Sequence, residues 1–493
     1  MLTTGFVRRA LCWLGIDIAL VYISLVAAYY MRLGYGLRGA GTSLVSVLAV
    51  VFVYLLSFYV ADLSVASRVV SWRPLAFKTA GAVMVGTAAI ACLDYAVPQV
   101  KLGRGILGIL ALNLTVAAVA ARVGYIMVIA HLPQRRLVVV GHLKVCLQVL
   151  AKLKTVKSNI SVEGFLADQF PSEATYAPVL GGVTDFREVA AEKGITDVVV
   201  GAIRGNSQFW RDLVVARLSG IRVWSVPDFF QALVGQIPAE SLTDGWLVFG
   251  GGFGSFDHPL TRRFKRLADI GCSLVVLVLA TPLLVLISLV IKLTSRGPVL
   301  FRQTRIGMGD RPFELLKFRS MVVNHDNPSA RWACDRDHRI TGVGRWLRRF
   351  HMDELPQLIN VLRGDMSLVG PRPEQPEFVE MLKARIPYYS LRHYVAPGMT
   401  GWAQVNFGYA NSVTGSREKF YYDLFYVRNL SGTLDVLILL RTLRVLLFGQ
   451  STLGRPSDIG ETAGEITEMA PSPAPEALTP VWPRGSAGDI AED

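Results

Sequence analysis

Cysteine is scarce in this 493-residue chain: Cys12, Cys92, Cys146, Cys272 and Cys334 are dispersed, with no C-x-x-C pair among them. An odd, scattered set argues against a disulfide framework and against a zinc site, and reads as reduced packing residues. Acids are also in deficit. The 38 Asp and Glu face 51 Lys and Arg, a formal net charge of +13, which calls for an anionic partner: nucleic acid, lipid headgroups or phosphorylated substrates. What is abundant is apolar: 52% of residues are hydrophobic, more than a soluble protein carries. That favours lipid and phosphorylated substrates over nucleic acid.

Four apolar stretches, residues 10–31, 44–63, 76–97 and 106–130, approach the roughly 20 residues that cross a bilayer as a helix. The first is too long to be a cleaved signal peptide. Basic residues at Arg8, Arg9, Arg68, Arg73, Lys78, Arg135 and Arg136 outnumber those in the first and third connections, which puts both ends of this region inside. Asp17 and Arg122 lie within the stretches, where ionisable groups are expensive; pairing inside a bundle is the expected arrangement.

Residues 132–244 read as a Rossmann-like α/β domain. The apolar runs LVVVG, DVVVG and IRVWSV alternate with helical patterns, as in a parallel sheet. The first strand leads into Gly141, His142, Leu143 and Lys144, without the G-x-G-x-x-G that lets backbone amides cradle a pyrophosphate. A structural or regulatory role is therefore expected. A glycine-rich connector follows at 245–261, and 450–493, rich in Pro, Ala, Gly and acids, reads as a disordered tail.

A further apolar run at 267–293 has basic residues on both sides, Arg262, Arg263, Lys265 and Arg266 before it and Arg296, Arg302 and Arg305 after it. A helix that breaks midway and returns keeps both flanks on one side, whereas a spanning helix does not. Pro282 removes a backbone donor near the middle, and the Thr281 hydroxyl is available to the freed carbonyls. A re-entrant segment is the expectation; a kinked spanning helix is the alternative.

Residues 262–349 hold seventeen Lys and Arg against six Asp and Glu, a surface suited to phosphates and headgroups. Then comes LRRFHMDELPQLINVLRGDMSLVGPRPE. Leu355, Leu358, Ile359 and Leu362 follow helical spacing, Pro356 is tolerated in a first turn and Gly364 ends the pattern, so Asp353 and Glu354 open a short amphipathic helix. There the helix dipole favours ionised carboxylates and an approaching phosphate. Two adjacent carboxylates can share Mg²⁺ with substrate phosphates, or one can act as a nucleophile. An isolated pair of this kind is more often a helix start in which acids merely offset the dipole.

The surroundings set this pair apart. KRLADI, the proline-broken apolar run, LLKFRSM, LRRFHMDELPQLINVLRGDMSLVGPRPE and VAPGMTGWAQVN together resemble the bacterial sugar transferase family, the monotopic phosphoglycosyl transferases, over about 262–449. The N-terminal half is similar to the long forms of exopolysaccharide assembly. The resemblance implies an α-helical membrane bundle, a Rossmann-like middle domain and a mainly α-helical catalytic domain with a re-entrant helix. It implies transfer of a sugar-1-phosphate from a UDP-sugar to undecaprenyl phosphate with release of UMP. Asp353 would be the nucleophile and Glu354 its partner on Mg²⁺. Arg348 matches a phosphate ligand of the family. Arg372, stiffened between Pro371 and Pro373, suits bidentate phosphate contact, and Lys317 and Arg319 are further candidates.

Arg392, Gln404 and Asn406 are expected to shape the nucleotide or sugar pocket or merely to pack, and Asp365 and Glu374 to assist the metal or to cap. His351 stands where the family favours a small polar residue and reads as spacing rather than catalysis. The implied location is the inner membrane, with the catalytic domain facing the cytoplasm against the membrane lipids, and a homodimer is an open alternative to a monomer. The main rivals are a non-catalytic scaffold and a membrane-anchored nucleotide-sugar dehydratase or epimerase. The latter requires the missing glycine fingerprint and a Tyr-x-x-x-Lys pair, and no tyrosine here has lysine four positions later.

Overall fold

The computed structural model describes residues 3–37, 42–61, 63, 72–97, 102–131, 133–155, 159–167, 178–201, 207–250, 259–321, 340–407 and 412–448. Arg68, the glycine-rich 251–258 and the tail 450–493 lie outside the described residues, as do the side chains of Arg8 and Arg9. The chain divides into two compact units, the first ending at Val234 and the second starting at Gly235.

The first unit opens with α1 (Thr3–Leu33), α2 (Leu44–Val60), α3 (Trp72–Ala96) and α4 (Arg104–His131). Three of these contain spans long and apolar enough to cross a membrane, Cys12–Leu33, Trp72–Ala96 and Arg104–Val128; α2, with 17 residues, is apolar but shorter. Their inward faces keep helical spacing: Val21, Leu25 and Ala28 of α1 meet Val50, Tyr54 and Phe58 of α2, with Val83 and Ile90 of α3 and Leu110, Leu114 and Ala118 of α4. Leu48, Phe52, Val85 and Val116 point outward. Asp17 and Arg122 pair within this core, Nη2 lying 2.8 and 3.0 Å from the two carboxylate oxygens. The guanidinium also sits over the Phe58 ring at 4.8 Å. Pairing neutralises two charges that would otherwise be prohibitive there.

The same unit continues with β1 (Arg135–Val140), α5 (Leu143–Thr155), β2 (Ile160–Leu166), β3 (Val179–Gly181), α6 (Phe186–Glu192), β4 (Asp197–Val200), α7 (Ser207–Leu218), β5 (Arg222–Ser225) and α8 (Val226–Val234). All five strands are parallel, in the order β3-β2-β1-β4-β5. Both faces of the sheet are covered, which explains the uninterrupted valines of β1. Leu137 and Val139 pack with Val149, Phe165 and Phe229 on one side, and Val138 and Val140 with Phe186, Phe209 and Leu213 on the other. A single glycine, Gly141, makes the turn from β1 to α5, at φ 139°.

The second unit contains α9 (Asp244–Phe249), α10 (Pro259–Thr294), the hairpin β6 (Leu300–Ile306) and β7 (Pro312–Phe318), α11 (Gly342–Arg349), α12 (Gln357–Arg363), β8 (Ser367–Val369), α13 (Pro376–Arg385), β9 (Gly398–Thr400), α14 (Trp402–Asn406), α15 (Val413–Arg428) and α16 (Gly432–Phe448). Strands β8 and β9 pair in parallel. Helix α10 has 36 residues and is apolar enough to cross a membrane, yet it does not end at Pro282. The Thr281 hydroxyl donates to the Leu277 carbonyl at 2.8 Å and the helix continues.

Both flanks of α10 are tied down within this unit. Near its start, Lys265 donates to Asp435 at 2.7 Å and to the Val369 carbonyl at 3.1 Å, while Asp269 accepts from Ser367 Oγ at 2.7 Å and from the Leu368 amide at 3.2 Å. Near its end, Ile287 and Ile291 pack against Phe318 and Leu347.

Candidate active site

Asp353 and Glu354 occupy a single 3₁₀ turn, Met352–Glu354, rather than the first turn of α12, which starts only at Gln357. His351 enters this turn in the left-handed region, φ 55° and ψ 19°, and reverses the chain after α11. The expectation that the pair opens the helix is thereby corrected. The helix dipole is also not what sets these acids. The two neighbouring carboxylates have opposite environments.

Asp353 is 8% exposed. Burial and then the Glu354 charge raise its pKa; Lys317 and Arg348 oppose this without cancelling it. A backbone amide is the hydrogen-bond donor to the Asp353 side chain, which makes no hydrogen bond or ion pair with another side chain among the described residues. For Glu354 burial acts upward too, but Arg372 and Lys317 outweigh it and hold the carboxyl well below the usual carboxylate range. Glu354 Oε1 accepts from Lys317 Nζ at 2.8 Å and from Arg372 Nη2 at 2.7 Å, with Arg372 Nη1 3.4 Å from Oε2. Burial lowers the Lys317 pKa, more than Glu354 raises it.

Each of these groups is placed by a different element. Lys317 comes from β7, which Asn360 pins to α12: the Leu316 amide donates to Asn360 Oδ1 at 3.0 Å, and Asn360 Nδ2 donates to the Glu314 carbonyl at 2.7 Å. Arg348 lies in the last turn of α11 and donates from Nε to Ser320 Oγ at 2.9 Å. Arg372 follows β8 across a crossing too tight for any side chain. A Cβ on Gly370 would lie 2.3 Å from the Ala396 carbonyl oxygen, and one on Gly398 2.1 Å from the Gly370 nitrogen.

Several candidates are used elsewhere. Arg319 turns away from the dyad: its guanidinium donates to the Ser295 and Arg296 carbonyls at 2.8 and 3.0 Å and holds the end of α10. Arg392 is buried and reaches the Arg372 carbonyl at 2.8 Å and Asp423 at 2.9 Å, so it supports the loop that carries Arg372. Gln404 donates to the Met399 carbonyl at 3.0 Å, and Asn406 bridges the Trp402 carbonyl and Arg441 at 2.8 and 2.7 Å. Asp365 accepts from Asn360 at 3.0 Å. Glu374 pairs with Lys419 at 2.6 Å and its pKa falls to about 2, Lys419, Arg392 and Arg305 together overcoming burial. Arg305, Lys419, Asp423 and Tyr389 were not among the expected residues, and residue type alone does not distinguish them from surface charge.

No group of three His, Cys, Asp or Glu side chains is placed to hold a metal among the described residues. The dyad nonetheless offers hard oxygen donors, the Asp353 carboxylate and Glu354 Oε2. That set fits Mg²⁺, which takes one or two carboxylates and completes its shell with water and substrate phosphates.

The profile of a family described as bacterial sugar transferase matches residues 260–449. A UDP-N-acetylgalactosamine-undecaprenyl-phosphate N-acetylgalactosaminephosphotransferase of Aeromonas hydrophila is 40% identical over 51% of this chain and 59% of its own length. A UDP-glucose:undecaprenyl-phosphate glucose-1-phosphate transferase of Klebsiella pneumoniae is 36% identical over 58% and 61%. A relative of the same name from Caulobacter vibrioides is 46% identical over 37% of this chain and 69% of its own. The chain thus spans about three-fifths of the length of the first two. With the dyad, its two cations and the basic flanks of α10 all inside the matched region, the chain belongs to the bacterial sugar transferase family.

Proposed function

We propose that this membrane protein transfers a sugar-1-phosphate from a UDP-sugar to undecaprenyl phosphate. The observation that carries the reading is the division of the dyad: a buried Asp353 without a side-chain partner beside a Glu354 fixed by Lys317 and Arg372. The Asp353 carboxylate attacks the β-phosphorus of the UDP-sugar, the bond from that phosphorus to the bridging oxygen breaks, and UMP leaves with the electron pair. An oxygen of undecaprenyl phosphate then attacks the same phosphorus and frees Asp353. Covalent catalysis divides a displacement between two anions into two steps. Arg372, Lys317 and Arg348 offset the charge that gathers at phosphorus. Asp353 and Glu354 Oε2 would hold Mg²⁺, which supplies further neutralisation of phosphate charge when bound.

Topology fits this chemistry, because nucleotide sugars are cytoplasmic. A straight helix of 36 residues would measure about 54 Å, well beyond a hydrocarbon core of roughly 30 Å. Its two flanks, however, are held by one body: Lys265 and Asp269 by residues 367–369 and 435, and Ser295 and Arg296 by Arg319. This supports a segment that bends at Pro282 and returns, leaving the active site at the cytoplasmic face of the inner membrane. The middle domain, with its single turn glycine, we read as Rossmann-like without a dinucleotide site.

Purified protein with Mg²⁺, undecaprenyl phosphate and either UDP-glucose or UDP-N-acetylgalactosamine should release UMP, and Asp353→Asn should not. Turnover by that variant would end the covalent mechanism. A reporter fused after Arg302 should be cytoplasmic; a periplasmic signal would overturn the re-entrant reading.

A further inference from the structure

Four successive carbonyls around Arg372 receive donors from three separate parts of the second unit. The Gly398 amide donates to the Pro371 carbonyl at 2.9 Å, Arg392 Nη2 to that of Arg372 at 2.8 Å, Arg305 Nη1 to that of Pro373 at 3.2 Å and the Ile306 amide to that of Glu374 at 3.0 Å. The two arginines are anchored in turn. Arg392 pairs with Asp423 at 2.9 Å, both side chains 2% exposed, and also donates to the Tyr389 hydroxyl. Arg305 donates to Gln303 Oε1 at 2.7 Å and lies 3.7 Å from Glu374, whose other oxygen accepts from Lys419 at 2.6 Å.

Buried ion pairs of this kind are poor stabilisers, since desolvation consumes most of the Coulombic gain and well-packed apolar residues often do as well. Stability therefore does not account for the buried Arg392–Asp423 pair and the half-buried Arg305, Lys419 and Glu374 gathered behind one turn. A fixed geometry does. We infer that Arg305 and Arg392 are positioning residues: by clamping the Arg372 and Pro373 carbonyls they hold the Arg372 guanidinium on Glu354, where it meets the substrate phosphates. The inference rests on the transfer reaction proposed above. A group displaced by about 1 Å from its productive place can lower a rate by about a hundredfold, so a loosened turn matters even though neither arginine touches the dyad.

The test is a double-mutant cycle on UMP release by the full-length protein, using Arg305→Gln and Arg372→Ala. Arg305→Gln alone should lower kcat by roughly tenfold to a hundredfold with little change in KM for the UDP-sugar. In the Arg372→Ala background it should have no further effect, because it acts only through Arg372. Arg305→Lys should recover part of the loss. Equal losses in both backgrounds would overturn the inference and leave Arg305 a general stabiliser.

Amide hydrogen exchange provides an arm independent of turnover. Arg305→Gln should raise exchange at Ile306 and Gly398, whose amides donate to the Glu374 and Pro371 carbonyls, while β1 and β4 stay protected, and unchanged exchange at those two amides would refute the clamp. Failure of the unaltered protein to release UMP would instead refute the transfer reaction and leave the clamp to be judged by exchange.

Discussion

Glu354→Gln is the most informative single change, because two cations converge on this one acid at 2.7 and 2.8 Å and its side chain is only 15% exposed. The amide keeps the volume and removes the charge. Breaking a buried pair from one side costs about 3–5 kcal/mol, since the partner charge stays behind without compensation. Lys317 and Arg372 are 19% and 30% exposed, so water relieves part of this. The expected loss is then near the low end, about 3 kcal/mol, or roughly a hundredfold in the local opening equilibrium of β7. Amide exchange over residues 312–318 reads that factor directly.

The same substitution has a signed effect on pH dependence. The Glu354 charge is the second-ranked cause, after burial, of the raised Asp353 pKa. Removing it lets Asp353 ionise at lower pH, so the acid limb of the UMP-release profile moves down even as the plateau falls with the loss of the Arg372 anchor. Glu354 itself is depressed in the native state. Its stabilisation is full above the ordinary glutamate value of 4.5 and fades as pH falls below it. The stability gap between native protein and variant should therefore narrow in acid. An acid limb that moves upward, or unchanged exchange in β7, would refute the charge arrangement.

His351→Gly should raise the thermal midpoint in detergent, because a left-handed non-glycine residue costs about 1 kcal/mol, while UMP release stays within its native range; a tenfold loss of activity would give the imidazole a chemical part. Gly370→Ala should cost about 3 kcal/mol and abolish activity, since only backbone atoms surround the new Cβ, whereas Gly342→Ala, with open space around it, should be silent in the same assays. Asp17→Asn should destabilise the bundle by about 3 kcal/mol through a stranded Arg122, read as a lower yield of folded protein; Asp17→Leu combined with Arg122→Leu should recover it.

Features that depend on local pattern were legible in the residue order. Apolar length marked the helices of the first unit, uninterrupted valines marked a sheet covered on both faces, and Asp17 and Arg122 pair as their cost in that setting demands. Features that depend on remote partners were not. Lys317 and Arg319 stand two apart, which in a strand places both on one face. The strand ends at Phe318, however, so the alternation stops before Arg319 and its guanidinium goes to the end of α10 instead. Glu374 read equally as a helper of the metal or as a capping acid, because Lys419, its neutralising partner, lies 45 residues away in the chain. The start of α12 was misplaced for a different reason: Pro356 takes the N-cap position, so the dyad is left in the preceding turn that His351 initiates.

The surroundings decide what the two acids can do. Adjacent side chains point about 100–120° apart in either an α-helical or a 3₁₀ turn, so Glu354 meets Lys317 and Arg372 while Asp353 meets neither within hydrogen-bond reach. Paired carboxylates whose environments drive their pKa values in opposite directions are the usual sign of a division of labour. A carboxylate held through one oxygen by two cations is fixed in place and not free to turn toward phosphorus. The one without a side-chain partner, raised by burial, retains basicity and is free to approach phosphorus. The division of the dyad thus favours Asp353 over Glu354 as the attacking group, and it makes Glu354 the fixed point about which the phosphate-binding cations are arranged.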